Sequence, residues 1–133
     1  MQYLLIQSKL FSKEIPDDQI GEWFLGGDLA GWLYMKLLPG ERIQHGLGPC
    51  MEDWGWYLSV ECDKLEVAFY IWDHFDDDAG WVVGIEVKQR LFKKATPDIV
   101  DEIQEYVVSW LDKSIEAAEH IDNYEWMDEN PLD

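Results

Sequence analysis

Two runs in the middle of the chain alternate with period two and are joined by two polar residues. Trp56, Leu58, Val60 and Cys62 alternate with Tyr57, Ser59 and Glu61. After Asp63-Lys64, residues Leu65, Val67, Phe69 and Ile71 alternate with Glu66, Ala68, Tyr70 and Trp72. Period two sends each set to its own face of a pleated strand, and a two-residue connection sets the register of an antiparallel hairpin. A chain holding this hairpin is built around an antiparallel sheet. Past an acidic turn at residues 73–80, Trp81, Val83, Ile85 and Val87 continue the alternation as a third strand, which ends at the basic residues Lys88, Arg90, Lys93 and Lys94.

The flanks supply the remaining elements. Residues 3–10, rich in Leu and Ile, form a strand that Ile15-Pro16-Asp17-Asp18 breaks. Asp28, after Gly26-Gly27, is placed to cap a helix starting at Leu29, with Trp32, Leu33 and Lys36-Leu37 at helical spacing and Pro39-Gly40 as the stop. A short extra turn from Asp17, with Ile20, Trp23 and Phe24 on one face, is an alternative; glycines at 21, 26 and 27 argue against one continuous helix. Residues 41–46 read as a short edge strand and Gly46-Leu47-Gly48-Pro49 as a loop. The last helix carries the strongest signals: Thr96 as cap, Pro97 at its first position and Asp98, Asp101 and Glu102 near its positive end. Its apolar stripe is Ile99, Ile103, Tyr106, Val107, Trp110 and Leu111, and it is expected to run to about Glu119. Residues 122–133, with five acids, no base and Pro131, read as a tail that Tyr124 and Trp126 could dock. The expectation is one α+β domain over residues 1–121, in the order β-α-(β)-β-β-β-α, followed by an acidic tail. It comprises an antiparallel sheet of four to five strands with two main helices.

Charge bears on partners. Twenty-eight acids against ten bases leave −18. The first 48 residues hold four bases and six acids (net −2), the next 47 five and ten (net −5), and residues 96–133 one base, Lys113, and twelve acids (net −11). Such a field repels nucleic acid and anionic membrane and speeds encounter with a basic protein. Eight Trp, six Tyr and five Phe set the chain apart from disordered acidic segments, which are poor in aromatics. Their burial has to outweigh the self-repulsion of the acids. Raising ionic strength from about 0.01 M to about 1 M shortens the screening length from about 30 Å to about 3 Å. The melting temperature is therefore expected to rise with salt, which calorimetry checks. The N-terminal apolar run is too short for a signal sequence and no stretch is long enough to span a bilayer, so a cytoplasmic location is expected. There Cys50 and Cys62 are expected to stay reduced.

Strand parity places Tyr57, Tyr70, Trp72 and Val82 opposite the Leu58, Phe69 and Ile85 face, with Glu61, Glu66 and Glu86. An aromatic surface edged by carboxylates is a docking site or a small-molecule pocket if it is open. If one helix covers each face these aromatics are core, and eight tryptophans that need hiding favour that arrangement. Asp76 and Asp78 share the i, i+2 spacing of a calcium loop, but Gly80 and Val87 stand where further ligands belong, so Asp76, Asp77 and Asp78 read as a solvated turn. His45, His74 and His120 lack metal-ligand spacing. No nucleophile motif, phosphate-cradling loop or dinucleotide fingerprint occurs, so no catalytic residue, cofactor or metal is assigned.

Gly27-Asp28-Leu29-Ala30-Gly31-Trp32-Leu33 followed by Gly48-Pro49-Cys50-Met51-Glu52-Asp53-Trp54-Gly55-Trp56 resembles a group of small, largely uncharacterised bacterial proteins. In that group a GxDLAxWL helix precedes a GPxxEDWGW strand start, a pair of strands and a C-terminal helix. The resemblance implies this order of elements and a bacterial or phage setting; it brings no catalytic residue. In it Gly55 permits a tight turn into the strand, Trp54 and Trp56 pin the strand to the helix bearing Trp32, and Glu52 and Asp53 are the residues to test for function. In charge and size the chain is also similar to acidic toxin-immunity and phage anti-defence proteins. The expected function is an acidic, protein-binding inhibitor of a basic partner, foremost an immunity protein for a nuclease-type toxin. The alternatives are a phage DNA mimic and a small-molecule-binding protein using Tyr57, Tyr70 and Trp72. Asp101, Glu105, Asp112, Glu116 and Glu119 fall on one side of the last helix, away from Ile103, Val107 and Trp110, and with Asp76, Asp77 and Asp78 form the expected partner surface. Exposed aromatics also leave room for a homodimer.

Overall fold

The computed structural model describes residues 1–14, 25–37, 41–74, 77–88 and 96–133, the His45 side chain excepted. The elements run β1 (Gln2–Gln7), α1 (Gly27–Leu37), β2 (Ile43–His45), β3 (Cys50–Glu52), β4 (Gly55–Cys62), β5 (Leu65–Asp73), β6 (Gly80–Lys88), α2 (Pro97–Glu116) and β7 (Asn123–Met127). The protein is α+β with an antiparallel sheet. That sheet has seven strands rather than four to five, in the order β2-β4-β5-β6-β1-β7, with β3 also on β4. The two strands beyond the expected count are short edge pieces, β3 on the first residues of β4 and β7 on β1.

The central hairpin forms in the register its alternation dictates, with Tyr57 opposite Tyr70 and Cys62 opposite Leu65. Asp63 and Lys64 take positive φ of 51° and 70°, the primed turn that matches strand twist. Arg42 holds the Asp63 carboxylate, also reaches Glu102 on α2 and lies over the Tyr106 ring at 4.7 Å. It thereby ties the hairpin turn to the helix layer.

Both helices pack on the same face of the sheet. One buried cluster joins Leu4 and Ile6 of β1, Leu58, Val60 and Cys62 of β4, Val67, Phe69 and Ile71 of β5, and Trp81, Val83 and Ile85 of β6. To these α1 adds Leu29, Ala30, Leu33 and Leu37, and α2 adds Ile103, Val107, Leu111 and Ile115. The helix-on-each-face arrangement is thus overturned: α1 and α2 also touch each other, through the Trp110 indole N–H donating to the Lys36 carbonyl at 2.8 Å. That bond satisfies one of the carbonyls a helix C-terminus leaves open.

Helix boundaries shift for identifiable reasons. α1 starts at Gly27, so Asp28 lies in its first turn rather than capping it, where its carboxylate accepts from the Ser12 and Leu29 amides. Gly26 makes the turn at φ 119°, and a Cβ on Gly27 would stand 2.7 Å from the Trp56 ring. Trp56 therefore seats against the start of α1. The alternative turn from Asp17 lies outside the described residues. α2 keeps its Thr96 cap, whose hydroxyl accepts from the Ile99 amide, and Pro97 at its first turn. It ends at Glu116 rather than Glu119, because the chain must reverse to bring β7 back along β1. The reversal is held by the Ser8 hydroxyl donating to the His120 carbonyl and by the Asp122 amide donating to the Gln7 carbonyl at 2.9 Å.

The expected tail is therefore part of the sheet. Leu4 stands opposite Trp126 and Ile6 opposite Tyr124, so both aromatics turn toward the helix layer, while Asn123, Glu125 and Met127 turn away. No helix among the described residues is long and apolar enough to cross a membrane. Cys62 is buried and Cys50 half-buried; both are free thiols.

Candidate functional site

With both helices on one side, the second sheet face carries the chemistry. Register aligns Tyr57, Tyr70, Gly84 and Tyr3 in a row across β4, β5, β6 and β1. Trp72 lies beside that row. It stands opposite Val82, and a Cβ on Gly84 would meet its ring at 3.0 Å. The missing side chain at Gly84 is what lets a tryptophan lie flat across the neighbouring strand.

Trp54, from the Asp53-Trp54 turn between β3 and β4, completes the group. Its ring centroid is 5.5 Å from that of Tyr70 and 5.6 Å from that of Trp72, which themselves stack at 5.9 Å with planes 15° apart. Tyr57 meets Tyr70 edge-on at 5.5 Å and Tyr3 meets Trp72 at 6.4 Å. These are the separations of packed aromatic pairs, so the rings form one continuous aromatic platform. Tyr57, Tyr70 and Trp72, the residues expected to line a pocket, are thus brought together on one face of the sheet. Trp54 reaches this face and not the helix with Trp32, so of the two motif tryptophans only Trp56 abuts α1.

Carboxylates edge the platform. The Tyr57 hydroxyl donates to Glu66 at 2.8 Å and the Tyr70 hydroxyl to Glu86 at 3.3 Å. Burial pushes both phenols above their ordinary range. The bond to Glu66 adds to this at Tyr57, and the charge of Glu86 adds to it at Tyr70. Both therefore remain neutral donors at physiological pH. Glu61 and Glu66 stand directly opposite one another, a repulsive pairing, and Lys88 stands opposite Glu66 on its other side. The Lys88 ammonium lies over the Tyr57 ring at 5.5 Å. Cys50, across from Tyr57, has a thiol raised by burial and by nearby Glu52, which argues against a reactive thiolate.

The expected acidic surface divides. Asp101 and Glu105 are exposed on α2 and, with Gln2, Gln104 and Val108, line a shallow groove of about 230 Å³. Asp112, half-buried, accepts from the Trp126 indole at 2.7 Å, and Glu116, still exposed, accepts from the Tyr124 hydroxyl at 3.2 Å. Glu119 falls beyond the helix end, outside the row. Asp77 serves its own turn: its carboxylate accepts from the Ala79 amide and the Gln7 side chain, in that order the causes that hold it below the usual carboxylate range. Asp78 is exposed, and Asp76 lies outside the described residues.

Trp54 and Tyr3 were missed as partners of this face. Tyr3 was legible in principle, since Leu4 and Ile6 alternate with it; Trp54 sits in a turn, where parity predicts nothing. Among the described residues no cluster of His, Cys, Asp and Glu is arranged to hold a metal ion. Neither family models, curated proteins nor solved structures contain a match to this chain.

Proposed function

We propose that this protein is a binding protein rather than an enzyme: a cytoplasmic acidic inhibitor that neutralises a basic partner, in the manner of an immunity protein against a nuclease-type toxin. The observation that carries the reading is where the charge sits. The twelve acids and single base of residues 96–133 belong to α2 and to β7 and its flanks, which the Trp126–Asp112 bond joins. The negative field is therefore anchored to folded structure, and a basic nuclease surface, built to attract phosphates, is the kind of surface it attracts. Asp101, Glu105 and Asp78 supply exposed carboxylates to that field.

Capture from a host lysate at low and high salt, read by mass spectrometry, tests the reading. A basic protein is expected to be held at low salt and released at high salt. Asp101→Lys with Glu105→Lys is expected to slow association at unchanged melting temperature; Glu116 is left intact because it holds Tyr124. Recovery of no basic protein would overturn the proposal.

A further inference from the structure

We infer that Trp54, on the platform it forms with Tyr70 and Trp72, is the seat for an arginine side chain of the partner; this rests on the reading above that the partner is a basic protein. Trp54 is a large, 37% exposed aromatic, yet two ring contacts hold it in place. Its free surface is presented with little side-chain entropy left to lose, the property that makes tryptophan an interface anchor.

The charge around it is complementary to a cation. Glu52 and Asp53, both exposed, flank Trp54 at the same β3–β4 turn, and strand pairing places Glu66, Glu86 and Glu125 on this face against Lys88. The chain's own cations show what such a combination accepts. Lys13 lies over Trp81 at 4.1 Å and pairs with Asp73; Lys88 lies over Tyr57, which is bonded to Glu66. Arg42 is the nearest parallel, its guanidinium over Tyr106 while it binds Asp63 and Glu102. Trp54 beside Asp53 offers the same pair of groups, and no cation among the described residues occupies its face. A planar guanidinium suits it better than an ammonium, since it stacks on the indole, is more weakly hydrated and grips a carboxylate through two N–H groups.

Deca-arginine and deca-lysine peptides, titrated into the full chain by calorimetry at low and high salt, test this. Deca-arginine is expected to bind about fivefold more tightly than deca-lysine. Trp54→Ala should abolish that preference while the far-ultraviolet circular dichroism of the folded chain is kept, and Trp54→Phe should keep part of it. Asp101→Lys with Glu105→Lys should weaken both peptides alike. Salt-sensitive binding with equal affinities, or a preference that survives Trp54→Ala, would overturn the arginine seat and leave the basic-partner reading standing. Failure of both peptides to bind at low salt would overturn both.

Discussion

A chain ending at Ile121 is expected to be less stable than the full protein by about 3 kcal/mol, read from the urea midpoint. The loss comes from two half-buried aromatic side chains, Tyr124 and Trp126, each contributing about 1–2 kcal/mol of burial. It also comes from the β1 pairing along residues 3–7. A disordered tail would cost nothing on removal. Truncation also deletes five acids and no base, lowering the formal charge from −18 to −13. The relief of repulsion partly offsets the lost packing at low salt, so the deficit should widen as salt is raised. Trp126→Ala alone should reproduce much of the deficit and strand the Asp112 carboxylate. A full-stability truncation would mean β7 contributes no net pairing energy.

Gly55→Ala should have an effect of similar size, about 3 kcal/mol, for a different reason. Gly55 holds φ 157°, and a Cβ there would stand 2.4 Å from the Ile71 carbonyl oxygen. The neighbour that would have to yield is sheet backbone, which cannot swing aside as a flexible side chain can. Gly31→Ala is the control. It sits within α1 with nothing within 4 Å of the added carbon, so it should stabilise by about 0.5–1 kcal/mol. Equal melting temperatures for the two variants would contradict the account of the β3–β4 turn. Because Gly55 separates Trp54 from Trp56, its substitution should also disturb the ring contacts of the platform, visible in near-ultraviolet circular dichroism.

What could be read in advance was local. The β4–β5 hairpin needs only its own alternation and the Asp63-Lys64 turn, and the start of α2 needs only Thr96 and Pro97. What could not be read depends on residues distant in the chain. β7 is five residues among acids, and its partner β1 lies more than a hundred residues away. With β7 unseen, neither the bond from Trp126 to the half-buried Asp112 nor that from Tyr124 to the exposed Glu116 could be read. Parity separated Tyr57, Tyr70 and Trp72 from Leu58 and Phe69, but an apolar stripe on a helix does not say which side of a sheet it covers. That choice, with both α1 and α2 going one way, leaves Tyr57, Tyr70 and Trp72 half-buried and outside the core cluster.

The position of β1 between β6 and β7 has a consequence for biosynthesis. The β4–β5–β6 meander joins neighbours in sequence and can assemble as soon as it is made. β1 is made before either of its partners: it has none until residue 80 or beyond is available, and its outer edge stays unpaired until residues 123–127 follow. While the residues in between are made, the Leu4-Leu5-Ile6 segment is thus an apolar strand awaiting β6 and β7. Closure of the sheet therefore waits on β7, the last strand in chain order.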